Sequence, residues 1–259
     1  MEANIELSKD LSTHGLSANT LKLIAIVAMV IDHIAWAYVP TASLLGQIMH
    51  IIGRLTAPIM CYFVAEGYYH TKNMKKYIGR MAIFAVISHF AFVLEQTGQF
   101  PIVYRNGQID YSSTFYTSVI YTLLLGLITL IVWNKNNWSK EMRVTVIILL
   151  CILGMFGDWY FISVLWIFFF GIYRENTKKK FIAFSIIGLL VTVTPTAFAL
   201  LEGKTIWWDM LCQFGIYLSI PLLMQYNGTR GGTKNMKWLF YIFYPLHLII
   251  LGVIRFYLL

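Results

Sequence analysis

Charged residues are scarce in this sequence, and their scarcity indicates the class of protein. Asp, Glu, Lys and Arg together make up 12% of the 259 residues, against about 25% in an ordinary soluble domain. Hydrophobic residues make up 58% and form continuous runs, and about 20 such residues suffice to cross a bilayer as a helix. The runs do not alternate apolar with polar positions, as the strands of a membrane β-barrel do. The sequence therefore predicts an all-α, polytopic integral membrane helical bundle.

Cysteine is also scarce, and no two cysteines have the spacing of a redox or metal motif. The three cysteines, Cys61, Cys151 and Cys212, lie inside apolar runs, which is typical of small buried side chains. The first 18 residues are polar and lack the basic start, apolar core and cleavage site of a signal peptide. We expect residues 1–18 to be a polar cytoplasmic segment, followed by a first helix that directs its own insertion.

Nine apolar runs predict about nine transmembrane helices in a single domain, residues 1–259. The second run is expected to break at the segment GRLTAP, because Gly53 and Pro58 interrupt helical geometry there. The runs cover residues 20–39, 44–70, 77–96, 114–133, 142–157, 159–173, 181–200, 209–225 and 238–257.

The basic residues of the connecting segments predict the orientation of these helices. Fourteen lie on one side: Lys72, Lys75, Lys76, Arg80, Lys135, Lys140, Arg143, Arg174, Lys178, Lys179, Lys180, Arg230, Lys234 and Lys237. The opposite side has two, Arg105 and Lys204. By the positive-inside rule the N-terminus is cytoplasmic. The net charge of +8 then serves topology and contact with lipid headgroups and indicates no nucleic-acid partner.

Acidic residues favour the opposite, extracytoplasmic side. They are Glu95, Asp110, Asp158, Glu202 and Asp209. A surface of this sign attracts cations such as amines, so these residues predict an acidic outer face.

A few ionisable residues fall inside the apolar runs, where each is costly and is a candidate for function. They are Lys22, Asp32, His33, Arg54, Glu66, His89 and His247. Lys22 and His33 are eleven residues apart on the first helix, which places them on one face and about 16 Å apart in depth. A long ligand with an anionic cytoplasmic end and a reactive inner end fits that spacing, and coenzyme A has this shape. Alternatively, Lys22 is only a snorkelling anchor.

The histidines and the acid near mid-membrane need partners. His89, His247 and His33 are predicted at similar depths, which indicates either a common chamber or separate hydrogen bonds between helices. Asp32 and His33 are adjacent and so point about 100° apart on a helix. Asp32 therefore needs another partner, and Arg54 is the best candidate for an ion pair.

The cytoplasmic end of the second helix and the segment after it predict an anion-binding entrance. Its candidate residues for binding the phosphates of coenzyme A are Lys22, Glu66, His70, Lys72, Lys75, Lys76 and Arg80. A solvated loop that only sets topology explains the same residues.

Several segments resemble the TraX family, whose founding member is known as an N-acetyltransferase of conjugative pilin. They are LKLIAIVAMVIDHIAW, IGRLTAPIMCYFVAEGYYHTKNMKKYIGRMAIFAVIS and KWLFYIFYPLHLIIL, with weaker likeness at GDWYFISVLWIF and YTLLLGL. The family in turn resembles membrane acyltransferases that modify cell-surface sugars. Their first helix carries a basic residue and a histidine at the spacing of Lys22 and His33 here, with lysine in place of the commoner arginine.

The resemblance implies that acetyl-CoA is the donor and that an acceptor arrives from the opposite side. That acceptor is an amine, on a peptide N-terminus or an amino sugar, or a hydroxyl. We expect His33 to act as general base or as a nucleophile that carries the acetyl group. His247 or Tyr244 would stabilise the oxyanion, or Arg54 if its ion pair with Asp32 does not occupy it.

Two other functions fit parts of the pattern. A proton-coupled secondary transporter also uses midplane His, Asp and Arg residues, although no inverted repeat is visible. A metal site made by His33, His89 and His247 lacks the HExxH spacing, so we expect no metal.

Overall fold

The computed structural model describes residues 15–203, 207–233 and 236–258. It is mostly helical. The α-helices are α1 (Ala18–Tyr38), α2 (Leu44–Gly53), α3 (Thr56–His70), α4 (Met74–Thr97), α5 (Tyr111–Phe115), α6 (Val119–Trp133), α7 (Lys140–Gly154), α8 (Tyr160–Ile172), α9 (Thr177–Leu201), α10 (Ser219–Met224) and α11 (Met236–Val253). A 3₁₀ helix (Trp207–Leu218) precedes α10, and a π-helical turn (Ile254–Leu258) extends α11.

Five helical segments are long and apolar enough to cross a membrane. They are Ala18–Tyr38, Leu44–His70, Met74–Thr97, Thr177–Leu201 and Met236–Leu258, and shorter apolar helices cover Val119–Trp133, Tyr160–Ile172 and Trp208–Met224. These segments fit a multi-pass membrane protein. The number nine and the cytoplasmic N-terminus stay predictions. Residues 1–14, Lys204 and Lys234, which also entered the sequence predictions, lie outside the described residues.

The predicted break in the second run is confirmed. α2 ends at Gly53 and α3 starts at Thr56, with Arg54 and Leu55 between them. Pro58 lies in the first turn of α3, where its missing N–H leaves no hydrogen bond unmade. A Cβ at Gly53 would overlap the carboxyl group of Asp32. The break therefore lets α1 approach closely at the level of Asp32.

A short antiparallel hairpin, which the sequence did not predict, lies between α4 and α5. Its strands are β1 (Tyr104–Arg105) and β2 (Gln108–Ile109). Asn106 and Gly107 join them with φ of 53° and 78°, the left-handed conformation that two-residue hairpin turns require. The hairpin is a small feature of a connecting loop.

Two packed groups of helices enclose the interior. α3, α6 and α8 form one, centred on Trp166 and Phe170, which are almost completely buried and pack against Phe184 of α9. α11 packs along α4 in the other. α1, α3, α6, α4 and α11 thus form a ring in which each helix contacts the next and α11 returns to α1.

Candidate active site

A cavity of about 540 Å³ lies inside the ring of five helices. α1 contributes one face of it, through Lys22, Ala25, Ile26, Met29, Asp32 and His33. These positions follow the three- and four-residue spacing of a single helix face. Lys22 and His33 therefore line the same cavity, as their spacing predicts.

Basic side chains line one end of the cavity. They are Lys22, His70, Arg80, Arg230 and Lys237. Glu66 lines the same end, but its carboxylate accepts hydrogen bonds from the Arg174 guanidinium at 3.1 and 3.4 Å. The acid at this end is therefore already neutralised, and the end as a whole is positive.

His33 lines the inner part of the cavity together with Asp158, Trp159 and Tyr244. Its ring contacts the ring of His247 edge to face, with centroids 5.1 Å apart. His247 lies outside the lining and is buried. The structure thus brings together two of the three histidines that the sequence placed at one depth.

The hydrogen bond of His247 decides what this side chain can do. Its Nδ1 lies 3.0 Å from the carbonyl oxygen of Phe243, which only accepts, so Nδ1 carries the hydrogen and donates it. In the neutral ring Nε2 is then an acceptor, and it has no partner among the described residues. A neutral His247 cannot donate to an oxyanion, so this geometry disfavours the donor role predicted for it.

Asp32 has the partner that the sequence predicted and one that it did not. Nη2 of Arg54 donates to both carboxylate oxygens of Asp32 at 2.8 Å. Nδ1 of His50, which is fully buried, lies 2.8 Å from Oδ1. The guanidinium also lies 5.4 Å from the centre of the Trp159 ring. A half-buried carboxylate is tolerated here because two donors satisfy it.

Some predicted site residues lie outside the cavity lining. Lys72, Lys75 and Lys76 are exposed and do not line it. His89 does not line it either, and its ring contacts Phe90. Arg54 does not line the cavity itself but contacts two lining residues, Asp32 and Trp159.

The structure adds residues that sequence reasoning did not select for the site. They are Asn19, His50, Asp158, Arg230 and Lys237. His50 lies in an apolar run, and its partner Asp32 is on another helix. The sequence assigned Arg230 and Lys237 to topology alone. The available signals were the glycine-rich segment around Arg230 and the position of Lys237 at the start of the last helix.

Two of the acidic residues predicted for an outer face have local roles in the structure. Glu95 is fully buried and accepts a hydrogen bond from Gln96. Asp110 caps α5, and hydrogen bonds from Ser112 and Ser113 lower its pKa to about 2. Both carboxylates thus serve local structure.

Among the residues that the structure describes, no group of three or more His, Cys, Asp or Glu side chains is placed to hold a metal ion. Cys61, Cys151 and Cys212 are free thiols.

Comparison with known proteins gives a family and two relatives. The family model described as TraX protein matches residues 17–255. The "Probable fimbrial assembly protein FimC, serogroup H1" of Dichelobacter nodosus is 29% identical over 243 residues, which cover 91% of this chain and 94% of that protein. An uncharacterized protein of Rickettsia prowazekii (strain Madrid E) is 29% identical over 140 residues, which cover 53% of this chain and 54% of that protein. No solved structure matches.

Proposed function

Because the chain belongs to the TraX family, we propose that it is a membrane-embedded acetyltransferase. It takes the acetyl group of cytoplasmic acetyl-CoA and transfers it to an amine or hydroxyl acceptor on the extracytoplasmic side. The protein lies in the bacterial cytoplasmic membrane with its N-terminus in the cytoplasm.

One observation carries this proposal: a single cavity is lined both by a group of cations and by the ring of His33. Along α1 these two features are about 16 Å apart, from the rise of about 1.5 Å per residue. A donor with anionic groups at one end and a thioester at the other matches this arrangement. The long pantetheine arm would follow the face of α1 between Lys22 and His33.

In the proposed reaction His33 is the general base. The acceptor nitrogen or oxygen attacks the thioester carbonyl carbon, and His33 takes the proton that the acceptor loses. The carbon–sulfur bond then breaks, and His33 returns the proton to the departing sulfur, which leaves as the thiol of CoA. In the variant mechanism, a ring nitrogen of His33 attacks the thioester carbonyl carbon, the carbon–sulfur bond breaks and the CoA thiolate leaves with the proton of that ring nitrogen or of solvent. The acceptor then attacks the acetyl carbon, the carbon–nitrogen bond to His33 breaks, and His33 takes the acceptor proton.

Tyr244 is the proposed donor to the oxyanion. Its side chain lines the cavity beside His33 and is buried, and a phenolic O–H in a water-poor site stabilises developing negative charge. Arg54 is engaged by Asp32. We therefore assign Arg54, Asp32 and His247 to positioning His33.

The acceptor is proposed more broadly than the donor. The Dichelobacter relative is named for fimbrial assembly, which favours a fimbrial or pilus subunit with a free N-terminus. An amino sugar and a sugar hydroxyl fit the same chemistry. Asp158 lines the cavity near His33 and would attract a protonated amine.

The test uses inside-out vesicles that contain the protein and enclose a short peptide with a free N-terminus together with glucosamine. Radiolabelled acetyl-CoA is added outside, and acetylated products are counted in the lumen. Replacing His33 with Ala should lower transfer by about 10²- to 10⁴-fold. His89→Ala is the matched control and should transfer normally.

Normal transfer by the His33→Ala protein would remove His33 from the reaction. A proton-coupled transporter would instead show no acetylated product and a flux of solute that collapses the proton gradient.

A further inference from the structure

We infer that Arg230 and Lys237, with Lys22 and Arg80, form a four-cation site that binds the phosphate groups of the donor. The inference rests on the proposed function, because it takes the donor to be a CoA thioester. It assigns the nucleotide end of that donor to residues that lie far apart in the sequence. It also implies that the protein distinguishes CoA from thioesters that carry fewer phosphates.

The four cations come from four different elements and meet at one end of the cavity. Lys22 belongs to α1, Arg80 to α4 and Lys237 to α11, while Arg230 lies in the loop before α11. Arg230 and Lys237 are exposed, so this end of the cavity is its open mouth. Three stretches of the chain that are far apart in the sequence thus converge on a single place.

Three of the four cations stand apart from the described carboxylates. Among the described residues, no carboxylate forms an ion pair with Lys22, Arg80 or Lys237. The positive charge of Arg230 acts on Lys22, and the Lys22 ammonium lies 5.1 Å from the centre of the Phe63 ring. Like charges held together in this way repel, and a polyanion relieves that repulsion with charge-assisted hydrogen bonds.

A glycine-rich loop, residues 225–233, holds Arg230 at the mouth. The amide of Ala18 donates to the carbonyl of Thr229 at 2.9 Å, and the amide of Asn19 donates to that of Arg230 at 3.0 Å. The loop carbonyls thereby satisfy N–H groups at the start of α1 that have no partner within the helix. The loop and α1 are one hydrogen-bonded unit, so Arg230 is fixed relative to Lys22.

Two glycines permit this close contact. Gly231 and Gly232 have φ of 65° and 59°, which side-chain-bearing residues rarely adopt. A Cβ at Gly231 would overlap the hydroxyl of Ser17, and one at Gly232 would overlap the sulfur of Met236. The loop could not lie against α1 and α11 with larger residues at these positions.

Aromatic rings surround the same mouth. Phe63, Tyr77, Tyr226, Phe240 and Tyr241 all line it. Flat aromatic faces stack on nucleobases. Cations beside aromatic faces are therefore suited to a nucleotide bearing several phosphates, rather than to the pantetheine arm alone.

The test measures binding of CoA, dephospho-CoA and pantetheine to the full-length protein in nanodiscs of neutral lipid, by isothermal titration calorimetry. Arg230→Gln and Lys237→Gln should each weaken CoA binding about tenfold, the loss of one charge-assisted contact. The preference for CoA over dephospho-CoA should shrink in the double variant, and pantetheine should bind all variants equally. Both side chains are exposed, so neither change threatens folding.

Two exposed lysines of α9, Lys178 and Lys179, provide the matched control, because they lie outside the cavity lining. Replacing both with Gln removes the same charge and should leave CoA binding unchanged. The double change Lys75→Gln with Lys76→Gln should likewise have little effect on CoA binding. The sequence predicts that these two lysines bind the phosphates, so this result distinguishes the four-cation site from the entrance predicted from the sequence.

CoA and anionic lipid headgroups both carry phosphate. The experiment must therefore distinguish CoA from lipid as the ligand of these cations. Nanodiscs with phosphatidylglycerol provide that arm. If Arg230→Gln and Lys237→Gln reduce only lipid retention and leave CoA binding intact, the inference is overturned and acetyl transfer by His33 is unaffected. If the unmodified protein neither binds CoA nor transfers acetyl groups, the proposed function fails as well.

Discussion

Removing the Arg54 guanidinium is the sharpest perturbation of the polar cluster behind His33. Arg54 lies in the break between α2 and α3 and binds both oxygens of Asp32 at 2.8 Å. The two side chains are 8% and 16% exposed. Asp32 precedes His33 on α1, so this ion pair ties the helix that carries the proposed base to the broken helix.

The size of the effect follows from burial. Breaking a buried ion pair by removing one partner costs about 3–5 kcal/mol, because the remaining charge is left unpaired. After Arg54→Ala, Asp32 keeps the hydrogen bond from His50 and still lines the cavity, so its charge is not left fully desolvated. We therefore expect the lower end of that range, about 3 kcal/mol of unfolding free energy. The double change Asp32→Asn with Arg54→Met leaves no charge and should recover most of this loss.

A surface pair provides the control. Arg105 lies 3.5 Å from Asp110 in the hairpin loop and is 75% exposed, so Arg105→Ala should cost about 1 kcal/mol or less. Unfolding is followed by the loss of helical circular dichroism as denaturing detergent is titrated into protein in mild detergent micelles. An Arg54→Ala protein as stable as the Arg105→Ala protein would refute the reasoning, as would a double variant no better than the single one.

Two further changes test neighbouring features. Gly53→Ala places a methyl group against the Asp32 carboxyl and should destabilise the protein by about 1–3 kcal/mol. The control is Gly79→Ala on α4, where nothing lies within 4 Å of the added methyl group, and it should not destabilise the protein. Thermal melting compares the two variants. Tyr244→Phe should lower acetyl transfer by about 10²- to 10³-fold with CoA affinity unchanged, and a weakened CoA affinity at full transfer rate would contradict its role as oxyanion donor.

Local chemistry explains why much of the fold could be predicted from the sequence. Each apolar run contains helical structure, because a membrane helix needs a long continuous run of apolar residues. The break at Gly53 and Pro58 was also predictable, because glycine and proline each alter the conformation of their own backbone. The shared face of Lys22 and His33 follows from helix periodicity alone. The hairpin at Asn106 and Gly107 could not be predicted in this way, because its strands of two residues are too short to show an alternating pattern.

The pairing between helices could not be read in this way. His50 lies among apolar residues in the run QIMHIIG, and nothing in that run indicates its partner. Only the packing of α2 against α1 shows that it meets Asp32. Likewise, the sequence does not separate Lys75 and Lys76 from Lys237, because all three are lysines near a helix start.

What separates these lysines is the position of their helices around the cavity. α11 closes the ring between α4 and α1, and this turns the first residues of α11 toward the mouth, where Lys237 meets the cavity. Lys75 and Lys76 begin α4 but lie on its exposed side. A positive charge binds a ligand only where the ligand reaches it. The basic residues that the sequence places on one side therefore fall into two groups: one lies outside the cavity, and the other, identified only by tertiary packing, lines its mouth and is available to bind an anion.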